Sequence, residues 1–334
     1  MEIKKVLKTD QYDIGYTLLL PDSDRNQTCV LIVGGSLSHD RDGQIIKDGV
    51  GTGERFALKE LAQKLLEGGY ASLRYDRCGF GDTRCHTSPC GANDDDKAVL
   101  ISLYRYLKGH KNIGKIILAG ESAGGYFSCM AARDGLQADG YIFLGALCSN
   151  SPDMLRYNYE RLYRFACQSE ANMAWAKKVC LHWLTIGANI DTIILSAEEG
   201  VPCIDVEYAG YRFSYHTSRL TQEIREQPSE LFCYIHNPTL ILQGELDMNV
   251  PPNDRVEIAR ILLESGNYNV TCRCIPQTDH SFQLAPLSER ERIIERFNFR
   301  SFQNPYSQEL YDSILGWLNA LYSPTSELSR RYKL

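Results

Sequence analysis

Lys115-Ile-Ile-Leu-Ala-Gly-Glu-Ser-Ala-Gly124 is the stretch of sequence that decides the fold. Its apolar first half is typical of a strand buried on both faces of a parallel sheet. The pattern G-x-S-x-G follows at once, and helical periodicity continues from Gly124 to Arg133. A strand, a sharp turn and a helix in this order project a serine hydroxyl beyond the sheet edge. The stretch therefore predicts Ser122 as a nucleophile, and a serine that merely caps the helix is the structural alternative.

A serine nucleophile needs a general base, and the base needs an acid that fixes its tautomer. Asp247 comes shortly after an apolar run at 238–242, and His280 comes shortly after a second predicted strand at 269–275. Both are expected at the carboxyl edge of the sheet, beside Ser122. The order Ser, Asp, His along the chain is the one that accompanies this turn. We predict these residues as a catalytic triad, with Glu245 and Asp254 as competing acids.

Two backbone N–H groups are expected to stabilise the oxyanion. Ala123 opens the helix behind the nucleophile, where the first N–H groups lack partners within the helix. Gly34-Gly35-Ser36 follows the predicted strand 29–33, and small residues let the backbone approach a substrate oxygen. We predict the N–H groups of Ser36 and Ala123 as the oxyanion hole; an ordinary glycine turn is the alternative for the first.

Strands and helices alternate on both sides of this motif, which favours an α/β fold with a mostly parallel, doubly wound sheet. The predicted strands are 3–7, 12–20, 29–33, 71–75, 115–119, 141–144, 238–242 and 269–275. The predicted helices of the α/β part are 54–66, 98–107, 124–133, 256–263 and 308–321. Residues 151–232 break the alternation and are mostly helical, most clearly over 158–166 and 171–184. We therefore divide the chain into a first core part (1–150), a largely helical lid insertion (151–232) and a second core part (233–334).

The composition excludes several classes of protein. The 334 residues are 43% hydrophobic and 23% charged, as in an ordinary globular protein, and the net charge is −6. No long basic run is present, so nucleic acid is not an expected partner. The charged N-terminal stretch does not resemble a signal peptide, and no apolar stretch is long enough for a membrane span. We expect a cytoplasmic protein with a small-molecule acyl substrate, whose oligomeric state stays open and includes a homodimer.

The twelve cysteines are scattered along the chain, and several lie in apolar strand or helix patterns. Without an export signal we expect them to be reduced. Cys85, His86 and Cys90 share one loop, which could hold a metal ion or close a small disulfide. A zinc site needs about four ligands, and no second pair completes one here. An ordinary loop is the favoured interpretation, and we predict neither a metal ion nor a cofactor.

Two further segments, 35–43 and 73–83, extend the pattern around Ser122 into a family resemblance. They are similar to the G-S-G-P-x-D-R-D-G and L-R-Y-D-x-R-G-x-G-x-S segments of α/β-hydrolases, in the branch that includes serine aminopeptidase-like and acyl-esterase-like proteins. The resemblance covers about residues 28–150 and 235–322, and implies the α/β-hydrolase fold and hydrolysis without a cofactor. Gly34, Leu37-Ser38 and Cys78 depart from the family pattern, which affects the substrate more than the triad. Structural ion pairs near the site are expected among Asp40, Arg41, Asp42, Arg74 and Asp76, with a direct role in substrate binding as the alternative.

The predicted function is a serine hydrolase that cleaves a carboxylic ester or thioester through an acyl-enzyme on Ser122. Three alternatives stay open: a biosynthetic acyltransferase, cyclase or C–C bond hydrolase with the same triad, an aminopeptidase or amidase, and a non-catalytic binding protein. The lid is rich in tyrosine and arginine, which either line the substrate pocket or pack and face solvent. The residues in question are Tyr157, Tyr159, Tyr163, Tyr208, Tyr211, Tyr215, Arg156, Arg161, Arg164 and Arg212.

Overall fold

A mostly parallel sheet forms the centre of the protein in this computed structural model, which describes residues 1–22, 26–47, 50–51, 55–87 and 92–322. Within these ranges the strands are β1 (Glu2–Lys8), β2 (Tyr12–Leu19), β3 (Gln27–Val33), β4 (Ile46–Lys47), β5 (Val50–Gly51), β6 (Ala71–Tyr75), β7 (Arg84–Cys85), β8 (Ile113–Glu121), β9 (Gly140–Leu144), β10 (Cys203–Tyr208), β11 (Tyr211–His216), β12 (Thr239–Gly244) and β13 (Val270–Ile275). The central sheet has the order β1-β2-β6-β3-β8-β9-β12-β13, with β7 paired to β2. Pairing is antiparallel up to β6 and parallel from β6 to β13.

The helices connect these strands and cover both faces of the sheet. They are α1 (Ala57–Glu67), α2 (Asn93–Lys108), α3 (Ala123–Arg133), α4 (Ser151–Cys167), α5 (Glu170–Val179), α6 (Leu181–Ala188), α7 (Ile190–Glu198), α8 (Ser218–Arg225), α9 (Pro228–Leu231), α10 (Asp254–Glu264), α11 (Glu289–Phe297) and α12 (Gln308–Tyr322). Short 3-10 turns cover Phe232–Tyr234 and Arg300–Gln303.

The period of two along β8 shows why this sequence forms a buried central strand. Ile116 and Leu118 pack into one core with helices α2, α3 and α10. Ile117 and Ala119 point to the opposite face and pack into a second core with α1 and α12. Apolar residues at successive positions are therefore needed here, as the run in the sequence indicated. The predicted doubly wound α/β fold is confirmed, and each predicted core strand is present with small differences at its ends.

The inserted segment 151–232 differs from the predicted set of helices. The helix expected over 171–184 is two helices, α5 and α6, which meet at Cys180. A hairpin of β10 and β11 was not expected, because the Ala209-Gly210 turn is a weaker hairpin signal than Asn-Gly. Both turn residues have positive φ, at 52° and 80°, as a two-residue hairpin loop requires. The alternation of buried Val206 with exposed neighbours was the available signal.

The insertion has its own apolar clusters, and one of them is shared with the α/β part. Leu162, Phe165 and Leu184 pack with Met248 and with Phe297 of α11. Because Met248 follows Asp247 directly, the insertion and the loop that carries the predicted acid pack as neighbours. Helix α11 was not predicted from the sequence.

The described cysteines follow the prediction with one exception. Ten of them are free: Cys29, Cys85, Cys129, Cys148, Cys167, Cys180, Cys203, Cys233, Cys272 and Cys274. The expectation of reduced cysteines is wrong for Cys78, which is disulfide-bonded. Cys90 lies outside the described residues. His86 contacts Asp13, with 3.3 Å between Nε2 and Oδ1, and the described ranges contain no cluster of potential metal ligands.

Among the described helices, each is too short or too polar to cross a lipid bilayer.

Candidate active site

Ser122 lies at the sharp turn between β8 and α3. Its backbone has φ 52° and ψ −121°, a conformation that costs about 1–3 kcal/mol for a residue with a side chain. The Ser122 N–H donates to Leu144 O at 2.8 Å, which ties the turn to β9. A side chain at Gly124 would lie 2.1 Å from Val33 O, so the glycine is required where α3 passes β3. Strain held by such surroundings is typical of a nucleophile presented at a sheet edge.

Asp247 and His280 meet at the same sheet edge, although 33 positions separate them along the chain. His280 Nδ1 lies 2.8 Å from Asp247 Oδ2. The other carboxylate oxygen, Oδ1, accepts from the N–H groups of Asn249 at 2.7 Å and Val250 at 3.0 Å. Gln243 Nε2 also donates to Oδ2. Because the carboxylate is anchored on several donors, it holds the imidazole with Nδ1 protonated and leaves Nε2 as the basic nitrogen.

Burial and charge act in opposite directions on His280. Burial lowers the pKa of the imidazole, but the charge of Asp247 and its hydrogen bond raise it, and the net pKa lies above the ordinary value of 6.5. Asp279, the preceding residue, has a pKa raised to about 6 by burial, with hydrogen bonds from the N–H groups of Gln283 and Ser281 opposing the shift. The raised pKa of His280 favours its role as a proton acceptor.

The competing acids have other partners. Glu245 accepts from the Gln277 N–H at 2.9 Å. Asp254 accepts from the N–H groups of Cys148 and Ser149, both at 2.8 Å. Of the three acids weighed from the sequence, Asp247 is the one hydrogen-bonded to His280.

The loop after β3 lies directly against the nucleophile. A Cβ atom at Gly35 would lie 2.5 Å from Glu121 O and 2.7 Å from Ser122 Cβ. Ser36 follows in this loop, and it lines the same cavity as Ser122, Ala123 and His280. The close approach explains why the loop needs glycine at this point.

A buried ion pair beneath the nucleophile was missed from the sequence. Arg55 is fully buried, and its Nη2 contacts the carboxylate of Glu121, the residue before Ser122. Arg55 also donates to Ser38 Oγ at 2.6 Å and to Ser281 Oγ at 3.2 Å, next to His280. The available signal was Glu121 itself, because a carboxylate at the end of a buried strand needs a cation. The pair connects the loops that carry Ser36, Ser122 and His280.

The expected ion pairs at the edge of the site are confirmed for four of the five residues. Arg41 pairs with Asp76, and Arg74 Nη2 lies 3.0 Å from Asp42 Oδ1. Asp40 instead accepts from the Gln44 N–H at 2.8 Å, which closes its own loop. None of the five is among the described residues that line the cavity.

The cavity above Ser122 has a volume of about 370 Å³ and lies between the sheet edge and the insertion. Apolar side chains form most of its wall: Leu147, Met154, Leu155, Trp183, Leu220, Met248, Val250, Phe297, Phe299 and Phe302. Of the six tyrosines singled out from the sequence, Tyr159 and Tyr215 line the described cavity.

For the four arginines singled out in the insertion, the cavity lining supports the interpretation that they lie outside the substrate pocket. None of these four arginines is among the described lining residues; Arg156, for example, pairs with Glu160 at 3.1 Å. The arginines that do line the cavity are Arg219, Arg292 and Arg296. Arg219 pairs with buried Asp96 at 3.0 Å. The sequence could not distinguish these arginines from surface ones, because burial depends on how the insertion packs.

Comparison with known families gives a match over most of the chain. The sequence model of the family described as serine aminopeptidase, S33, matches residues 51–284. No curated protein matches the chain significantly.

Solved structures match in fold at low sequence identity. The ferulic acid complex of Est1E from Butyrivibrio proteoclasticus has 16% identity and a TM-score of 0.55, over 90% of this chain and 98% of that one. An esterase of Pyrococcus furiosus has 13% identity and a TM-score of 0.56, over 96% and 90%. The α/β hydrolase GrgF from Penicillium sp. sh18 has 17% identity and a TM-score of 0.53, over 91% and 98%.

Proposed function

We propose that this chain, which belongs to the serine aminopeptidase S33 family of α/β-hydrolases, cleaves a carboxylic ester or thioester through an acyl-enzyme on Ser122. The observation that carries the proposal is the hydrogen bond of 2.8 Å between His280 and Asp247, in a cavity that Ser122 also lines. At the coarser level the chain is a serine hydrolase of the α/β-hydrolase superfamily.

In the proposed mechanism His280 Nε2 takes the proton of the Ser122 hydroxyl as its oxygen attacks the carbonyl carbon. Asp247 holds the imidazole and stabilises its protonated form. The N–H groups of Ser36 and Ala123 donate to the oxyanion, where such donors contribute most. The leaving alcohol or thiol takes the proton from His280. Water then attacks the acyl-enzyme with the same base, and no cofactor takes part.

The cavity wall supports an acyl substrate. Its surface is largely apolar, and its lining includes Ser122 as well as Leu155, Trp183 and Leu220 of the insertion. Apolar walls with a few polar groups are typical of sites for small organic molecules. We propose that the insertion acts as a lid that excludes water and selects the substrate.

An aminopeptidase that binds the ammonium group of its substrate by charge needs a free carboxylate in the cavity. Glu223 lines the cavity, but it accepts from Ser151 Oγ at 2.8 Å and from Asn93 Nδ2 at 3.3 Å. Burial raises the pKa of its carboxyl group, which favours the neutral form. These contacts make Glu223 a poor ammonium ligand.

Labelling with a fluorophosphonate and hydrolysis of p-nitrophenyl acetate test the proposal. Wild type, Ser122→Ala, His280→Ala and a matched control, Ser128→Ala, are compared. Ser128 lies on the same helix and donates to Gly124 O at 2.7 Å, away from the described lining of the cavity. We expect Ser122→Ala to lose labelling and turnover, His280→Ala to lose turnover, and the control to keep both. Undiminished labelling of Ser122→Ala would show that another residue is the nucleophile.

Matched oxygen esters, thioesters and amides then separate the remaining functions. The proposal expects turnover of the esters or thioesters well above that of the amides. Labelling of Ser122 without turnover of simple esters would favour the biosynthetic alternative. Faster turnover of amides would favour the peptidase.

A further inference from the structure

Helix α11 places two arginines one turn apart on the wall of the cavity. Arg292 and Arg296 are four positions apart, so they share a face of the helix, and both line the cavity. In the described part of the chain neither forms an ion pair with a carboxylate. Glu295 also lines the cavity, but it accepts a hydrogen bond from Asn304 Nδ2 at 3.0 Å. The cavity therefore contains positive charge that the neighbouring carboxylates do not pair with.

The guanidinium groups of Arg292 and Arg296 differ in their hydrogen bonds. Arg296 donates from Nη1 to Met248 O at 2.9 Å and from Nη2 to Asn158 Oδ1. It thereby joins the loop after Asp247 to α4 of the insertion, which is a structural role.

The Arg292 guanidinium forms hydrogen bonds at Nη1, whereas its Nε forms none within the described residues. Its Nη1 donates to Pro286 O at 2.8 Å and to Leu287 O at 2.6 Å. Its Nε is buried and has no hydrogen-bond partner among the described residues. The guanidinium is thus fixed in place while its Nε side lacks an acceptor, an unfavourable state for a buried donor. A planar guanidinium with parallel donors is the group that best matches a carboxylate.

The surroundings of Arg292 favour an anion. Burial lowers the pKa of its guanidinium; Glu289 raises it, Arg161 lowers it, and the net pKa is lowered. A charged group under these conditions is stabilised by an opposite charge supplied by a ligand. Arg161 itself lies over the Tyr157 ring at 4.4 Å, and its Nε is 3.6 Å from Glu289 Oε1.

We propose that Arg292 binds a carboxylate of the substrate, so that the enzyme prefers esters that carry a second, free carboxylate. This inference rests on the proposed function, because the ester would be cleaved at Ser122 in the same cavity. The apolar wall would contact the chain between the ester and the carboxylate.

Two pairs of substrates test the inference. The first pair is p-nitrophenyl hydrogen adipate and its neutral methyl ester, with the carboxylate on the acyl side. The second is p-acetoxybenzoate and p-acetoxybenzamide, with the carboxylate on the alcohol side. The measured quantity is kcat/KM for the anionic ester divided by kcat/KM for the neutral one. We expect wild type to favour the anion in at least one pair, and Arg292→Met to lower that ratio about 10- to 100-fold.

Arg290→Met is the matched control, because Arg290 lies on the same helix, is exposed and donates to Asn172 Oδ1 at 2.9 Å. The control should leave the ratio unchanged, and Arg292→Lys should restore part of it. Equal ratios in wild type and Arg292→Met for both pairs overturn the inference.

If Arg292→Met does not fold, the inference is tested on the wild-type protein, by measuring how well a ligand protects Ser122 from fluorophosphonate labelling. Adipate should protect and dimethyl adipate should not; equal protection, or none, overturns the inference. Labelling of Ser122 with an unchanged ratio refutes only the carboxylate site. Absence of labelling in wild type refutes the proposed function itself.

Discussion

Replacement of Arg55 by methionine tests whether the ion pair beneath the nucleophile holds the site together. Arg55 is 0% exposed and Glu121 is 5% exposed, so both charged groups are desolvated. Methionine fills a similar volume but removes the guanidinium. Among the described residues, the Glu121 carboxylate then keeps donors from Ser38 and Gly35. Breaking a buried pair by removing one partner costs about 3–5 kcal/mol. We expect a loss of that size in the free energy of unfolding.

The double variant Arg55→Met/Glu121→Met should be less destabilised than the sum of the single variants. Replacing both partners removes the uncompensated charge, although Ser38 and Gly43 lose a hydrogen-bond partner. An exposed control is Arg260→Met, which removes pairs to Glu257 and Glu264 at the surface. We expect that control to cost about 1 kcal/mol or less.

The stability lost in Arg55→Met is expected to depend on pH, because the pKa of Glu121 is shifted. Burial raises the pKa of Glu121, but Arg55, Ser38 and Gly35 lower it, and the net pKa lies below the ordinary value of 4.5. The pair therefore stabilises wild type above pH 4.5, and this stability is lost as the pH falls through the lowered pKa. Without the guanidinium, burial dominates and the pKa of Glu121 rises. The deficit of Arg55→Met should therefore shrink in acid, where a proton neutralises the carboxylate.

Urea unfolding followed by far- and near-ultraviolet circular dichroism measures these differences, and coincident transitions show that one free energy describes them. A loss below about 1 kcal/mol for Arg55→Met, or additive losses in the double variant, would refute the reasoning.

Three further results are expected. The kcat/KM for a neutral ester should rise with pH through an apparent pKa above 6.5, because the pKa of His280 is raised and its neutral form is the base. Asp247→Asn should lower that apparent pKa. An unchanged apparent pKa in this variant would contradict the assignment of Asp247. Gly35→Ala places a methyl group 2.7 Å from Ser122 Cβ and should slow labelling about 100-fold, whereas unchanged labelling would show that the loop is free to move. Tyr157→Phe removes a hydrogen bond of 2.7 Å to Asp247 O and should cost about 1 kcal/mol in urea unfolding, so no loss would show that water replaces it.

Local patterns explain why the core elements were predicted correctly. The strand β8 shows a period of two in which both sets of residues are apolar, because both sheet faces are covered. Ser122 could be singled out because a strand, a sharp turn and a helix follow each other within about twenty residues. These signals need only neighbours in sequence, and the order of the later strands then placed Asp247 and His280 at the same edge.

The insertion was predicted less well, because its elements are short and pack on one another. Helix α6 has eight residues, and its boundary with α5 at Cys180 leaves little periodicity to separate the two. The β10–β11 hairpin alternates only weakly, and two of the arginines singled out there, Arg156 and Arg212, pair with nearby acids. Composition alone cannot separate a surface arginine from a cavity arginine.

The sequence by itself determined the α/β core, the alternation of strands and helices around the motif, and the candidate nucleophile, base and acid. Those features follow from periodicity, glycine turns and chain order, which are properties of consecutive residues. Tertiary structure alone decided that Arg55 pairs with Glu121 and that Arg292, rather than an arginine of the insertion, stands uncommitted in the cavity. Both outcomes depend on which polar groups lose water and which distant partners meet them, and such desolvation exists only once the chain has packed.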